Sequence, residues 1–318
     1  MGALGRHRAW WQDWFGSPYG LKEVVAATYR RLSIGENPAV AEFCAQRVQP
    51  EAGVRQLARV GFIGDVMCIA GKRLQVDATV AAFFADCEML IGNLEGTIGP
   101  RPRHPIAEWH DPAITEELGR MFEPSRFYLN VANNHAADFG PRAFDTSVHK
   151  LRRAGFNVFG TKEEPFADIG PHVRVVAGSM WTNKPCNWIA DLDDLDAHPP
   201  RDGFLLYYPH WGYEMEWRPR REILERGDRL LQQADALIGH HSHVPQAVRL
   251  HRVNGRTKVL ATSLGGFCAS YRERALLQGV IMKLAVGPRS AGGWGVAEME
   301  WRFVECVPGR TCTVKIVP

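Results

Sequence analysis

Five times along this chain an apolar, strand-like run ends in a polar cluster: Gly64-Asp65, Gly92-Asn93-Leu94-Glu95, Asn133-Asn134-His135, His210-Trp211-Gly212 and Gly239-His240-His241-Ser242-His243. Strands are predicted at RVGFIGDV (59–66), EMLIGN (88–93), RFYLNVA (126–132), NVFG (157–160), HVRVVAGS (172–179), GFLLYYPH (203–210) and ADALIGH (234–240). Helices are predicted at VDATVAAFFAD (76–86), AITEELGRMF (113–122), PRAFDTSVHKLRRAG (141–155) and RREILERGDRLLQQ (220–233). The third has Pro141 at its start and Gly155 at its end, the expected punctuation of a helix. Alternating strands and helices imply an α/β fold, in which functional groups gather outside the carboxyl ends of the strands. After Gln246 long helices stop, and QAVRLHRV, TKVLATSL, GVIMKLAV, VAEMEWRFV and TVKIVP read as a β-rich C-terminal half.

Residues 1–57 have a different texture. Trp10, Trp11, Trp14 and Phe15 cluster, and LKEVVAATYRRL and PAVAEFCAQRV read as two short amphipathic helices. The expectation is an N-terminal helical extension (1–57) packed on a main domain (58–318). A partner or membrane-surface contact is the alternative for the aromatic cluster. The acidic run at 191–196 reads as an exposed loop.

Composition narrows the function class. The formal net charge of +3 is spread through interleaved signs, as around Arg218–Arg229, where Glu222, Glu225 and Asp228 intervene and Glu214 and Glu216 precede. That pattern describes a solvated helix face and argues against a nucleic-acid partner. No apolar run approaches the ~18 residues of a transmembrane span. Arg6, His7 and Arg8 are not followed by the apolar stretch of a secretory signal. Seven cysteines, without a CxxC pair, suit reduced thiols. The chain is therefore expected to be cytoplasmic. Cys306 and Cys312 are placed to face each other across a hairpin.

The strand-end clusters share one chemistry. Carboxylates, an amide oxygen and imidazoles are ligands for divalent transition metals. Taken singly, each has a plainer reading: Asp65 as a turn or helix cap, Asn133-Asn134 as a turn, His210 as a hydrogen-bonded structural residue. Strand alternation places His241 and His243 on one face and points His240 away.

The ordered motifs GDVM (64–67), GNLEG (92–96), ANNHAADFG (132–140), HWGYE (210–214), GHHSHVPQ (239–246) and SLGGF (263–267) resemble the CapA proteins. These form the bacterial capsule-synthesis, or poly-γ-glutamate-synthesis, family within the calcineurin-like metallophosphoesterase superfamily. The resemblance spans about residues 59–290 and omits 1–57. It implies a four-layered α/β/β/α sandwich with one or two divalent ions (Mn, Fe or Zn) at the strand ends. Carried over position by position, Asp65 is the first aspartate and Glu95 the bridging carboxylate. Asn134, His210 and His241 serve the second metal, and His243 the first. His135, beside the leaving group, is the general acid. Paired cations of this kind activate water and clamp phosphoryl oxygens.

Two positions depart from the pattern. Met67 stands where the wider superfamily has His, which is the CapA pattern and takes one ligand from the first metal. Gly266 replaces the Asn of Ser-Leu-Gly-Asn-Phe. Among lesser candidates, Asp138 is expected to hold the loop after His135 or to orient an imidazole, and Glu214 to do the same for His210. Capping is the alternative for both. His240 is expected to be structural or to support a ligand. The loop at 101–112, with Arg101, Arg103, His104 and His110, reads as a cover for an anionic substrate or as an ordinary surface loop.

The resemblance leaves two functions open. One is a metal-dependent phosphoester hydrolase or phosphoryl-transfer enzyme of capsule or poly-γ-glutamate-type biosynthesis, acting on an anionic small molecule or polymer. The other is a non-catalytic accessory component working with a biosynthetic ligase.

Overall fold

The computed structural model of this protein describes residues 12, 17–34, 46–99, 107–197 and 202–317. The aromatic residues Trp10, Trp11, Trp14 and Phe15, and Arg101, Arg103 and His104, lie outside the described residues.

Helix α1 (Leu21–Ile34) is followed by strands β1 (Gln46–Val48), β2 (Ala58–Val66) and β3 (Arg73–Val76). Next come α2 (Ala78–Phe83), β4 (Met89–Leu94), β5 (Thr97–Ile98), β6 (Trp109–His110) and α3 (Ile114–Met121). The first half closes with β7 (Phe127–Asn130), α4 (Pro141–Arg153), β8 (Asn157–Phe159), β9 (Phe166–Ile169) and β10 (Val173–Ser179). The second half holds β11 (Phe204–His210), α5 (Arg221–Leu230), β12 (Ala236–Ile238), β13 (Val248–Val253) and β14 (Arg256–Ala261). It ends with β15 (Gly266–Cys268), β16 (Gln278–Pro288), β17 (Trp294–Pro308) and β18 (Thr311–Val317).

The larger sheet runs β3-β18-β17-β16-β2-β4-β7-β8, with β1 on β17 and β15 on β2. The smaller runs β13-β14-β12-β11-β10-β9. Strand alternation sets their layering. Val175 and Ala177, Leu206 and Tyr208, and Ala236 and Ile238 join the core shared with Phe62 and Ile63 of β2. Their neighbours Val176, Leu205, Tyr207, Leu237 and Leu260 face outward, where Ile223 and Leu230 of α5 cover them. On the far side Val80, Leu118, Phe144 and Leu151 of α2, α3 and α4 join the core of the larger sheet. The result is α/β/β/α, the four layers expected. No helix among the described residues is long and apolar enough to cross a membrane.

Two local expectations change, and a third is met. Residues 46–48, read as the end of a helix, are strand β1, whose Gln46, Arg47 and Val48 pair with Trp301, Glu300 and Met299. The strand is held by Arg47, which donates to Glu298 Oε2 at 2.9 Å, an anchor far away in sequence. The run at 191–196 is not simply an exposed loop. It forms a 3₁₀ turn that buries Leu192 and Leu195 against the outer face of the smaller sheet. Cys306 and Cys312 do meet across the β17–β18 hairpin, diagonally: Cys306 pairs with Val314 and Cys312 with Pro308, and the two thiols lie within hydrogen-bond reach. Both are free thiols.

Candidate metal centre

Five parallel strands deliver the clustered residues to one edge between the sheets. Asp65 lies near the end of β2, Glu95 directly follows β4, and Asn134 and His135 follow β7. His210 ends β11, and His240, His241 and His243 follow β12. Asp65, Glu95, Asn134, His210, His240, His241 and His243 are all at most 1% exposed. The structure thus brings together all six residues proposed as ligands from the sequence, and adds His240.

Glu95 Oε1 is the hub. It lies 3.7 Å from His243 Nε2, 3.8 Å from His210 Nε2 and 3.9 Å from His135 Nε2. Among the described residues, neither Glu95 oxygen has a hydrogen-bond partner, nor do His240 Nε2 and His241 Nδ1. Burying so many unpaired polar atoms is costly unless something else satisfies them. Ligands bound at about 2.1 Å to one tetrahedral cation are roughly 3.4 Å apart, close to the spacings around Glu95. The triads Asp65/His210/His240, Glu95/His210/His241, Glu214/His241/His243 and Asp65/Glu95/His243 each offer ligand atoms within 4.8 Å of one another. This oxygen and imidazole donor set fits a divalent transition metal.

The electrostatics agree. Burial, together with the negative charges of Asp65, Glu108, Glu214 and Asp138, pushes the Glu95 pKa well above the usual carboxyl range. Burial opposes the charge of Asp65, but His240 and His243 hold its pKa well below that range. Both Asp65 oxygens are engaged. Asn93 Nδ2 donates to Oδ1 at 2.8 Å, and the His241 main-chain N–H to Oδ2 at 2.9 Å. Burial and neighbouring imidazoles push the pKa values of His210 and His241 well down, favouring the neutral form that binds metal.

The HHSH segment does not follow strand alternation. β12 ends at Ile238, and His241 and His243 take φ values of 97° and 57°. Such angles are uncommon for residues with a side chain, and they cluster at functional sites. Instead of pointing away, His240 turns inward: its Nδ1 is 3.0 Å from Asp65 Oδ1 and 2.8 Å from His210 Nδ1.

His135 lines the cavity beside the cluster, with Nδ1 2.6 Å from Asp138 Oδ2. Burial opposes its protonation, but Asp138, by charge and hydrogen bond, with Glu108 and Glu214, pushes its pKa up to about 9. Asp138 also accepts from the Glu108 main-chain N–H at 2.9 Å, so it positions His135 and ties down the loop. Glu214 does not support His210. It accepts from Asn134 Nδ2 at 3.3 Å and belongs to a triad with His241 and His243.

The cavity, about 370 Å³, is lined by His135, His243, Met67, Glu108, Asn183 and Glu214, among others. Among the described residues of the 101–112 loop, Glu108 reaches the cavity; His110 is buried and bonds the Glu95 carbonyl at 2.8 Å. Burial pushes the His110 pKa down to about 4, consistent with a structural role. Sequence reasoning also missed Asn183, whose Nδ2 lies 3.1 Å from His135 Nδ1 and whose Oδ1 accepts from Asn134. It stands in an irregular stretch, TNKPCN, with no periodic signal.

The model of the family described as bacterial capsule synthesis protein PGA_cap matches residues 59–181 and 189–271, and the chain belongs to that family. The capsule biosynthesis protein CapA of Bacillus anthracis is 25% identical over 185 residues. That match covers 50% of this chain and 44% of the relative, less than half of its length. Similar solved structures include a hypothetical protein from Thermus thermophilus, with TM-score 0.46 and 16% identity over 78% of this chain and 99% of that one. Another is the calcineurin-like phosphoesterase YfkN from Bacillus subtilis, with TM-score 0.40 and 12% identity over 81% of this chain and 94% of that one.

Proposed function

We propose that this protein is a metal-dependent phosphoesterase-like enzyme of capsule or poly-γ-glutamate-type biosynthesis. The observation that carries the reading is the buried Glu95 carboxylate, without a hydrogen-bond partner among the described residues and ringed by His135, His210 and His243 at 3.7–3.9 Å. Asp65, Glu95 and His243 would hold one divalent ion, and Glu95, Asn134, His210 and His241 a second. Mn, Fe and Zn all suit these donors. When bound, such ions supply positive charge to phosphoryl oxygens and activate water.

The chain's own residues supply the remainder. His135, protonated near neutral pH and facing the cavity, donates a proton to the leaving oxygen. Asp138 fixes its ring orientation through Nδ1. The cavity lining includes Glu108 and Glu214 but, among the described residues, no Lys or Arg, so an anionic substrate depends on metal charge for its attraction. The catalytic unit in this reading is residues 58–318, with 1–57 as an extension.

Met67 favours a second reading, in which the protein is an accessory component of a polymer-synthesis complex with a ligase partner. A thioether offers a soft ligand where a harder imidazole would strengthen the first metal position. Assay of the purified chain with Mn²⁺, Fe²⁺ or Zn²⁺ on a panel of phosphomonoesters and phosphodiesters decides between them. Metal-dependent turnover is expected. Metal binding without turnover of any substrate would favour the accessory role.

A further inference from the structure

Tyr19 lies outside the residues matched to the family, 59–181 and 189–271, yet it is 8% exposed and lines the cavity beside His135 and His243. Its hydroxyl is 2.8 Å from His241 Nε2 and accepts from the Glu214 main-chain N–H at 2.9 Å. The ring sits in a built socket. Trp181 packs edge-on at 5.2 Å and Tyr213 lies at 5.8 Å. Trp181 is fixed by its own donation to the Gly212 carbonyl at 2.6 Å. The segment is held on both sides of Tyr19: the Tyr19 N–H donates to Ser17 Oγ at 3.2 Å, and Arg220, stacked on Tyr213, donates to the Glu23 carbonyl at 3.4 Å.

We infer that Tyr19 is a positioning residue of the metal centre, brought in by the N-terminal segment to orient His241; this rests on the metal-centre reading above. The two nitrogens of His241 are unequal. Nδ1 is buried without a partner among the described residues, while Nε2 meets the Tyr19 hydroxyl. An imidazole that ligates through Nδ1 must carry its proton on Nε2, and that N–H then donates to Tyr19 Oη. Partners of this kind fix the tautomer and ring orientation of metal-binding histidines. With His241 and Glu214 both donating to Oη, the phenolic O–H keeps its proton and is left to donate a hydrogen bond toward the cavity. The N-terminal segment therefore completes a site whose other residues all belong to the sandwich.

Tyr19→Phe tests this, because the ring and its contacts with Trp181 and Tyr213 remain while the hydroxyl is lost. Mn²⁺ affinity of the full chain, measured by titration calorimetry, should weaken about 10- to 100-fold. The melting temperature in chelator should stay that of wild type. Tyr213→Phe, whose hydroxyl bonds Glu222 and not the cluster, should bind Mn²⁺ like wild type. As a second measurement in an otherwise unaltered chain, 3-fluorotyrosine at position 19 should show a ¹⁹F resonance that moves when Zn²⁺ is added. Wild-type Mn²⁺ binding with undiminished affinity in Tyr19→Phe, or a ¹⁹F resonance indifferent to bound Zn²⁺, would overturn this inference alone. A wild-type chain that takes up no metal would overturn the metal-centre reading with it.

Discussion

Gly64 and Gly265 approach so closely that a Cβ on Gly64 would stand 1.9 Å from the Gly265 carbonyl oxygen. The same carbonyl accepts the Asp65 N–H at 3.0 Å. Backbone meets backbone here, so neither side can rotate away. The contact fixes the height of Asp65 on β2 relative to the SLGGF loop. Gly64→Ala should destabilise the fold by about 3 kcal/mol through forced backbone shifts. Denaturant unfolding of the variant checks this, and a loss below about 1 kcal/mol would show that the contact can relax.

The two glycines of the SLGGF loop should respond oppositely. Gly265 has φ 72°, and a Cβ there would lie 2.8 Å from Pro245 N, so Gly265→Ala is destabilising. At Gly266 the nearest neighbour of an added Cβ is Met67 Sδ at 3.9 Å, an ordinary contact, with φ outside the left-handed region. Gly266→Ala should be neutral or stabilise by about 0.4–1 kcal/mol through the unfolded chain. The position that departs from the family's Asn therefore has room for a side chain directed toward Met67. Paired melting curves give the two signs.

Metal binding should be seen in stability as well as in content. His241→Ala should lose most of its metal, and Asn134→Ala should bind more weakly than wild type. At a free metal concentration of 100 times Kd, binding adds about 2.7 kcal/mol to wild-type stability. Chelation should therefore lower the melting temperature of wild type and leave that of His241→Ala nearly unchanged. Stoichiometric metal retained by both variants would remove this cluster as the binding site.

His135 should separate turnover from ligation. His135→Ala is expected to retain metal and fold while losing roughly 10²- to 10⁴-fold in rate on a phosphoester with a poor leaving group. The loss should be smaller on an activated aryl phosphate, whose leaving group needs no proton. Asp138→Asn should show an intermediate loss, since it acts through His135 Nδ1. Equal rates for wild type and His135→Ala on both substrates would rule out the acid role.

Met67 stands beside the position proposed for the first metal. It lines the cavity with His243, and its sulfur is 3.8 Å from the Tyr271 hydroxyl. Met67→His restores an imidazole and should raise occupancy of the position served by Asp65, Glu95 and His243. Metal-to-protein ratios after dialysis would show it, and an unchanged ratio would place the residue 67 side chain out of reach.

The layered α/β plan and the gathering of polar groups at the strand ends were legible because both depend on short-range patterns. Apolar runs such as RVGFIGDV and GFLLYYPH need only their own composition to become buried strands. Asp65, Glu95, Asn134 and His210 then follow at their carboxyl ends. Strands whose identity depends on a distant partner were not legible: Gln46–Val48 is a strand because β17 and Glu298 lie beside it. His240 was misplaced because strand alternation ceases to govern side-chain direction once the backbone leaves β12 and turns into positive φ at His241. Tyr19 and Asn183 carried no signal. Their partners, His241 and His135, are remote in sequence, and only closure of the two sheets brings them within hydrogen-bond distance. Sequence by itself determined which groups end each strand, a consequence of local periodicity. Tertiary structure decided which nitrogen of His240 and of His241 is left unpaired among the described residues and which segment covers the site, because those depend on contacts made only when the strand ends converge.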